Sequence, residues 1–144
     1  MLVIENSATW HSYCRWNHAR GYFSAVVYGC GNQFMHSVAY LGDIFREIGY
    51  HPIRYFGDLD PPGFRIPRLA SAKAVGLGFP IVESNTWSYR RLLELGREMA
   101  EPQTESIDYA AQDLEWLKGL APEVTALFAV LRTATWDPGD IVNS

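Results

Sequence analysis

The chain has 144 residues, about one average domain, and 48% apolar, 19% charged and 14% aromatic residues exclude a disordered or fibrous protein. A formal net charge of -4 argues against a protein that grips nucleic acid through bulk electrostatics, but that charge is unevenly spread: residues 1–100 are net +2 and residues 101–144 net -6. The uncharged apolar stretches, such as 22–28, fall far short of the roughly 20 residues that cross a bilayer. The N-terminus has no basic segment ahead of an apolar one. Cys14 and Cys30 form neither a Cys-x-x-Cys pair nor a disulfide framework. Together these features predict a cytoplasmic protein with reduced thiols and no membrane partner.

Leu2-Val3-Ile4 reads as a short strand, and Asn6 or Ser7 then offers a cap for a helix that buries Trp10, Tyr13 and Cys14 and stops at Gly21. The β-branched and aromatic run from Phe23 to Tyr28, closed by Gly29-Cys30-Gly31, predicts a second strand. From Asn32, the spacing of Phe34, Val38, Leu41, Phe45 and Ile48 predicts one amphipathic helix ending at Gly49. Residues 52–56 read as a third strand, and Gly57-Asp58-Leu59-Asp60-Pro61-Pro62-Gly63 as a loop. The next helix should turn Ile66, Leu69 and Val75 inward and start late, because Pro67 is tolerated only in a first turn. Residues 79–82 read as a fourth strand, and Ser84, Asn85 or Thr86 can cap a helix carrying Tyr89, Leu92, Leu93 and Met99.

Strands alternating with helices across short joints predict an α/β domain over residues 1–100, with a parallel four-stranded sheet covered on both faces. Residues 101–144 read as an acidic extension of two helices packed on the same domain. Ile107, Ala110, Leu114 and Leu117 mark the first; Val124, Leu127, Phe128 and Leu131, opened by Pro122, mark the second. The first strand begins at residue 2, so the expectation is either a minimal domain or a fragment of a longer chain.

Ligands of open parallel sheets bind outside the carboxyl ends of the strands. Here those ends bear Glu5, Gly29-Cys30-Gly31, and Asp58 with Asp60. Two carboxylates at i and i+2 in extended backbone point the same way, roughly 6–7 Å apart, a span that a hydrated Mg²⁺ bridges. Glu5, from another strand, is a further ligand or a proton carrier. The plainer reading is that Asp58 and Asp60 cap the next helix. Arg54, Arg65, Arg68 and Lys73 fall near the same loop, where they either meet phosphates or line a solvated helix face. Glu83 at the fourth strand is a further ligand or part of a cap.

The order V-I-E-N, an apolar strand closed by G-C-G, then Y-F-G-D-L-D-P-P-G-F-R-I resembles a Toprim domain, a Rossmann-like fold, over about residues 2–83. It is most similar to the branch that includes the topoisomerase VI A subunit, and closer still to the C-terminal region of JetD, the nuclease subunit of bacterial Wadjet plasmid-defence systems. The resemblance implies that Glu5 is the acid/base glutamate, that Asp58 and Asp60 bind Mg²⁺ (or Mn²⁺), and that Gly29 and Gly31 let backbone approach a phosphate. Arg65 and Arg68 are then the candidate DNA contacts. None of the eight tyrosines occupies the motif that supplies the attacking tyrosine of topoisomerase VI, and the acidic tail lacks the closing motif of a full Wadjet D subunit. The implied activity is Mg²⁺-dependent cleavage of DNA phosphodiesters by water. The implied main grip on DNA comes from an N-terminal region outside this chain and from partner subunits of an SMC-like complex.

Three other functions compete. A topoisomerase VI-like transesterase would take its tyrosine from another domain or chain, and a receiver module would accept phosphate on Asp58 but would want paired acids where Glu5-Asn6 stands. A non-catalytic interaction module would bind no metal. The four histidines share no zinc-ligand spacing, the tryptophans read as core or interface anchors, and Phe34 stands where a dinucleotide fingerprint wants glycine.

Overall fold

The computed structural model describes residues 1–99, 111–120 and 122–126. Four strands, β1 (Leu2–Ile4), β2 (Val26–Tyr28), β3 (Ile53–Phe56) and β4 (Val82–Ser84), form one sheet of order β2-β1-β3-β4 in which every pairing is parallel. The α/β class expected from the alternating pattern is what forms. β1 is central and buried on both faces: Leu2, Val3 and Ile4 are 0% exposed, which is why it is a continuous apolar run.

Because side chains alternate across a strand, the sheet divides the interior in two. Leu2, Ile4 and Phe56 face helix α1 (Ser7–Arg20) and helix α5 (Thr86–Met99), meeting Tyr13, Tyr89, Leu92 and Leu93. Val3, Ile53 and Tyr55 face the opposite layer: the short helix α2 (Phe34–Ser37), α3 (Leu41–Ile48) and α4 (Pro61–Gly76). The β1-to-β2 connection thus covers one face and the β2-to-β3 connection the other. The sheet therefore has its switch point between β1 and β3.

Helix α1 begins where expected. Asn6 accepts from the N–H groups of Ala8 (2.9 Å) and Thr9 (3.4 Å), and Gly21 closes the helix in the left-handed region at φ 62°. β2 is shorter than its apolar run, since the Asn17 side chain takes both backbone groups of Phe23 (2.7 and 2.9 Å) out of strand pairing.

The single helix expected over 32–48 is in fact broken. A 3-10 turn (Gly31–Gln33) precedes α2, and a second (Val38–Tyr40) separates α2 from α3, although Phe34, Val38, Leu41 and Phe45 are all buried. The break lies where Lys73 Nζ bonds the carbonyls of Met35 (3.1 Å) and His36 (3.3 Å), the acceptors that continuous α-helix would give to residues 39 and 40.

α4 corrects three further expectations. It starts at Pro61, so Pro61-Pro62-Gly63 is its first turn and not loop, and Pro67 lies inside it, buried. Neither leading proline sacrifices a hydrogen bond there, because first-turn N–H groups have no helical acceptor. Its inward stripe is Gly63, Phe64, Ile66, Pro67, Ala70 and Ala74, while Leu69 and Val75 are 38% and 54% exposed. Small residues let the helix lie close to the sheet, and a reading based on large apolar residues overlooks them.

β4 falls two to three residues later than expected, since Phe79 N–H bonds Ala74 O (2.9 Å) and its ring packs against Phe45. Within β4, Glu83 meets Arg54 of β3 (2.5 Å).

In the extension, α6 (Ala111–Glu115), a 3-10 turn (Lys118–Leu120) and helical residues 122–126 place Leu114, Leu117, Leu120 and Val124 in the α1/α5 layer. Trp116 Nε1 donates to Val82 O (2.9 Å), and Asp113 pairs with Arg68. Of the expected tail stripes, Ile107, Ala110, Leu127, Phe128 and Leu131 lie outside the described residues. Trp10, Trp16 and Trp116 are partly buried against the core, Trp87 is 63% exposed, and Trp136 lies outside the described residues. Among the described residues, no helix is long and apolar enough to cross a membrane.

Candidate acid site at the strand ends

The switch point brings the first strand's acid to the third strand's loop. Glu5 N–H donates to Phe56 O (3.0 Å), which extends the β1–β3 ladder one residue past β1 and sets Glu5 beside Gly57. From there the Glu5 carboxylate reaches over Gly57, and Oε2 accepts the Asp58 N–H at 3.1 Å. A methyl group on Gly57 would overlap that oxygen, so glycine is required by the approach of Glu5.

Asp58 and Asp60 flank Leu59, which is fully buried and turns the loop inward between them. Asp60, in extended backbone, caps α4: its Oδ1 accepts from Gly63 N–H at 2.6 Å. The capping role foreseen as the plainer alternative is real for Asp60, and only its second carboxylate oxygen is left for other work. Gly63 is as constrained as Gly57, because a side chain there would overlap Asp58 O and approach Asp60 Oδ1 to 2.9 Å. Both glycines of the G-D-L-D-P-P-G motif thus make room for the acids around it. The positive end of α4 points at the same loop.

The electrostatics are those of crowded carboxylates. Burial first, then the charge of Asp58, and to a lesser extent that of Asp60, push the Glu5 carboxyl up to about 7, against the lowering effects of the Asp58 N–H bond and, least, of the Tyr55 hydroxyl. Tyr89 and Tyr55 border the cluster. Tyr89 is fully buried and its Oη accepts the Gly57 N–H at 3.0 Å. Desolvation, with Glu5 the next cause for each, holds both phenols neutral well beyond their ordinary range. Neither tyrosine stands out as a site residue from the sequence. The available signal was a tyrosine placed among otherwise hydrocarbon core positions, since a buried phenol needs a polar reason.

The remaining candidates separate. Gly29, at the end of β2 beside β1, is buried against Val3 and gives its N–H to Ile4 O (2.7 Å), so that N–H is committed to the sheet. Gly31 follows Cys30 in a left-handed turn (φ 57° and 56°), open around its Cα. Arg65 is exposed on α4. Arg68 is bound through Nε to buried Asp113 (2.5 Å), an acid of the net-negative extension, so its guanidinium serves to hold the tail. Glu83 is taken by Arg54. Among the described residues, no three His, Cys, Asp or Glu side chains are gathered closely enough to enclose an ion by themselves.

A doubly covered parallel sheet with its polar site at the switch point is a Rossmann-like α/β protein. Residues 1–138 match the family model described as Wadjet protein JetD, C-terminal, and the chain belongs to that family. No curated protein and no solved structure matches it.

Proposed function

We propose that this chain is a Toprim nuclease domain that cleaves DNA phosphodiesters with Mg²⁺ or Mn²⁺, within an anti-plasmid Wadjet complex whose other parts supply most of the grip on DNA. The observation that supports it is the meeting of Glu5 with the Asp58–Asp60 loop across Gly57, at the sheet's switch point. The donors suit a hard cation. A carboxylate that burial and neighbouring negative charge discourage from ionising, as at Glu5, is the environment a divalent ion relieves, and Mg²⁺ needs only one or two carboxylates when water and a phosphate complete its octahedron. Glu5 and Asp58 would hold it, with the second oxygen of Asp60 a further donor from the same loop.

A bound ion would stabilise charge on the phosphoryl group and acidify a bound water. The chain's own residues do the rest. The start of α4 and Arg65 present positive potential to a phosphate, Tyr89 fixes the Gly57 peptide, and Glu5 is placed to ligate or to move a proton. Since Tyr55 and Tyr89 are kept neutral and buried, neither is available as an attacking phenolate, and water is the nucleophile of this reading.

The test is plasmid cleavage by this chain assembled with its partner subunits, with Mg²⁺ or Mn²⁺. Asp58→Asn is expected to lower the rate at least a hundredfold while leaving the thermal midpoint within a few degrees. Cleavage unchanged by Asp58→Asn and by Glu5→Gln would refute the site. A covalent protein–DNA adduct would move the assignment to transesterification.

A further inference from the structure

Among the described residues, two buried side-chain polar atoms lack a hydrogen-bond partner, Thr9 Oγ1 in the first turn of α1 and Tyr55 Oη. The second lies at the acid site. Tyr55 is the third residue of β3, three before Asp58, and is 0% exposed. Its ring stacks on Phe34 (centroids 5.5 Å apart) and meets Trp116 edge-on at 5.9 Å, so packing fixes where the hydroxyl sits. Ring and carboxylate share the space over Gly57: a methyl built on that glycine would lie 3.0 Å from Tyr55 Cε1 and would overlap Glu5 Oε2. The hydroxyl faces the Glu5 carboxyl closely enough for the two to interact, yet the pair falls short of a fully formed hydrogen bond, and Tyr55 Oη has no other acceptor.

A buried O–H without an acceptor destabilises a fold, and phenylalanine would fill the same space without that penalty. Tyr89 is different, because its hydroxyl already serves a backbone N–H. Packing therefore accounts for the Tyr55 ring but not for its oxygen, and the polar side chain that shares the space over Gly57 with it is Glu5.

We infer that Tyr55 is a positioning residue for Glu5: in the ion-bound protein the Tyr55 hydroxyl donates to the Glu5 carboxylate and fixes its orientation. The inference rests on the reading of Glu5 as a ligand. Outer partners of this kind orient a metal-binding carboxylate, and losing one weakens ion binding or activity about 10- to 100-fold.

Two measurements test it, both on the full chain. In protein labelled at tyrosine ¹³Cζ and titrated with Mg²⁺, the Tyr55 resonance is expected to move on saturation while that of Tyr89 stays nearly still. In Tyr55→Phe, the half-saturating Mg²⁺ concentration is expected to rise at least tenfold, the ion-free thermal midpoint to hold or rise, and kcat to fall at least tenfold with KM for DNA unchanged. A Tyr55 resonance indifferent to Mg²⁺ overturns the inference even if the variant does not fold. So does a folded variant that binds Mg²⁺ within twofold of the parent and cleaves at its rate. Glu5→Gln and Asp58→Asn separate the levels: if they abolish Mg²⁺ binding and Tyr55→Phe does not, the Tyr55 role alone fails, whereas if none of the three matters, the acid-site reading fails with it.

Discussion

Replacing Gly63 by alanine is expected to destabilise the protein by about 2–3 kcal/mol, a drop of roughly 5–10 °C in thermal midpoint. Two effects of opposite sign meet at this position. Alanine is the better helix former by about 1 kcal/mol, and Gly63 is the third residue of α4, so propensity alone favours the change. Against that, the new Cβ would overlap Asp58 O and come within 3.0 Å of Asp58 C. Backbone atoms cannot swing aside as a side-chain tip does. The start of α4 or the Asp58 peptide has to move, and the Asp60 cap on Gly63 N–H is strained with it. Gly57→Ala makes the informative contrast, because the nearest obstacle there is the end of the Glu5 side chain. That carboxylate can rotate away, so the thermal midpoint is expected to fall by less than for Gly63→Ala while Mg²⁺-dependent cleavage is lost. Thermal unfolding of the two variants side by side, with a cleavage assay, checks the pair. A Gly63→Ala protein as stable as the parent would mean that the turn at Asp58 is looser than this close approach implies.

Glu5→Gln is expected to stabilise the ion-free protein by about 2 kcal/mol at pH 8 and by close to nothing at pH 4. The folded protein holds the Glu5 proton up to about pH 7, well above the ordinary carboxyl value of 4.5. Between those values it binds more protons than the unfolded chain, so folding stability is greatest below about pH 4.5, declines as pH rises, and has lost the whole contribution above about pH 7. A shift of that size corresponds to roughly 3 kcal/mol at full effect, and partial solvent access at a half-buried carboxyl reduces it. Glutamine imitates the protonated acid at every pH and escapes the loss. Denaturant midpoints of both proteins from pH 4 to pH 8, in chelator, measure this directly; parallel pH profiles would show that neither burial nor the charges of Asp58 and Asp60 raise the Glu5 carboxyl. Adding Mg²⁺ at pH 8 should stabilise the parent more than the variant, because the cation favours the form of Glu5 that burial opposes.

Much of this was legible in the residues themselves. The apolar run at Leu2–Ile4, the Asn6 and Gly21 caps, and the strand–helix alternation specify a parallel α/β layer structure through local rules: period, capping and the reach of short connections. The acids could be proposed from sequence because Glu5 and the Asp58–Asp60 pair each directly follow an apolar strand, and parallel strands put those ends on one edge. Local rules failed where a distant group intervened. Lys73 captures the carbonyls of Met35 and His36 and interrupts a helix whose apolar spacing looked continuous, and Asn17 draws Phe23 out of a strand its composition favours.

Sequence alone thus determined the class of fold, the order of its elements and the residues at the strand ends, because each depends on neighbours a few positions away. Tertiary structure decided the rest: that Glu5 reaches across to Asp58, that Gly57 makes room for Glu5 and Gly63 for the Asp58 carbonyl, that Asp60 caps a helix, that Arg68 holds an acidic tail, and that two buried tyrosines border the acids. These are relations between groups up to 84 positions apart in the chain, as from Glu5 to Tyr89. Their strength comes from partial exclusion of water at the strand ends, which only packing can create.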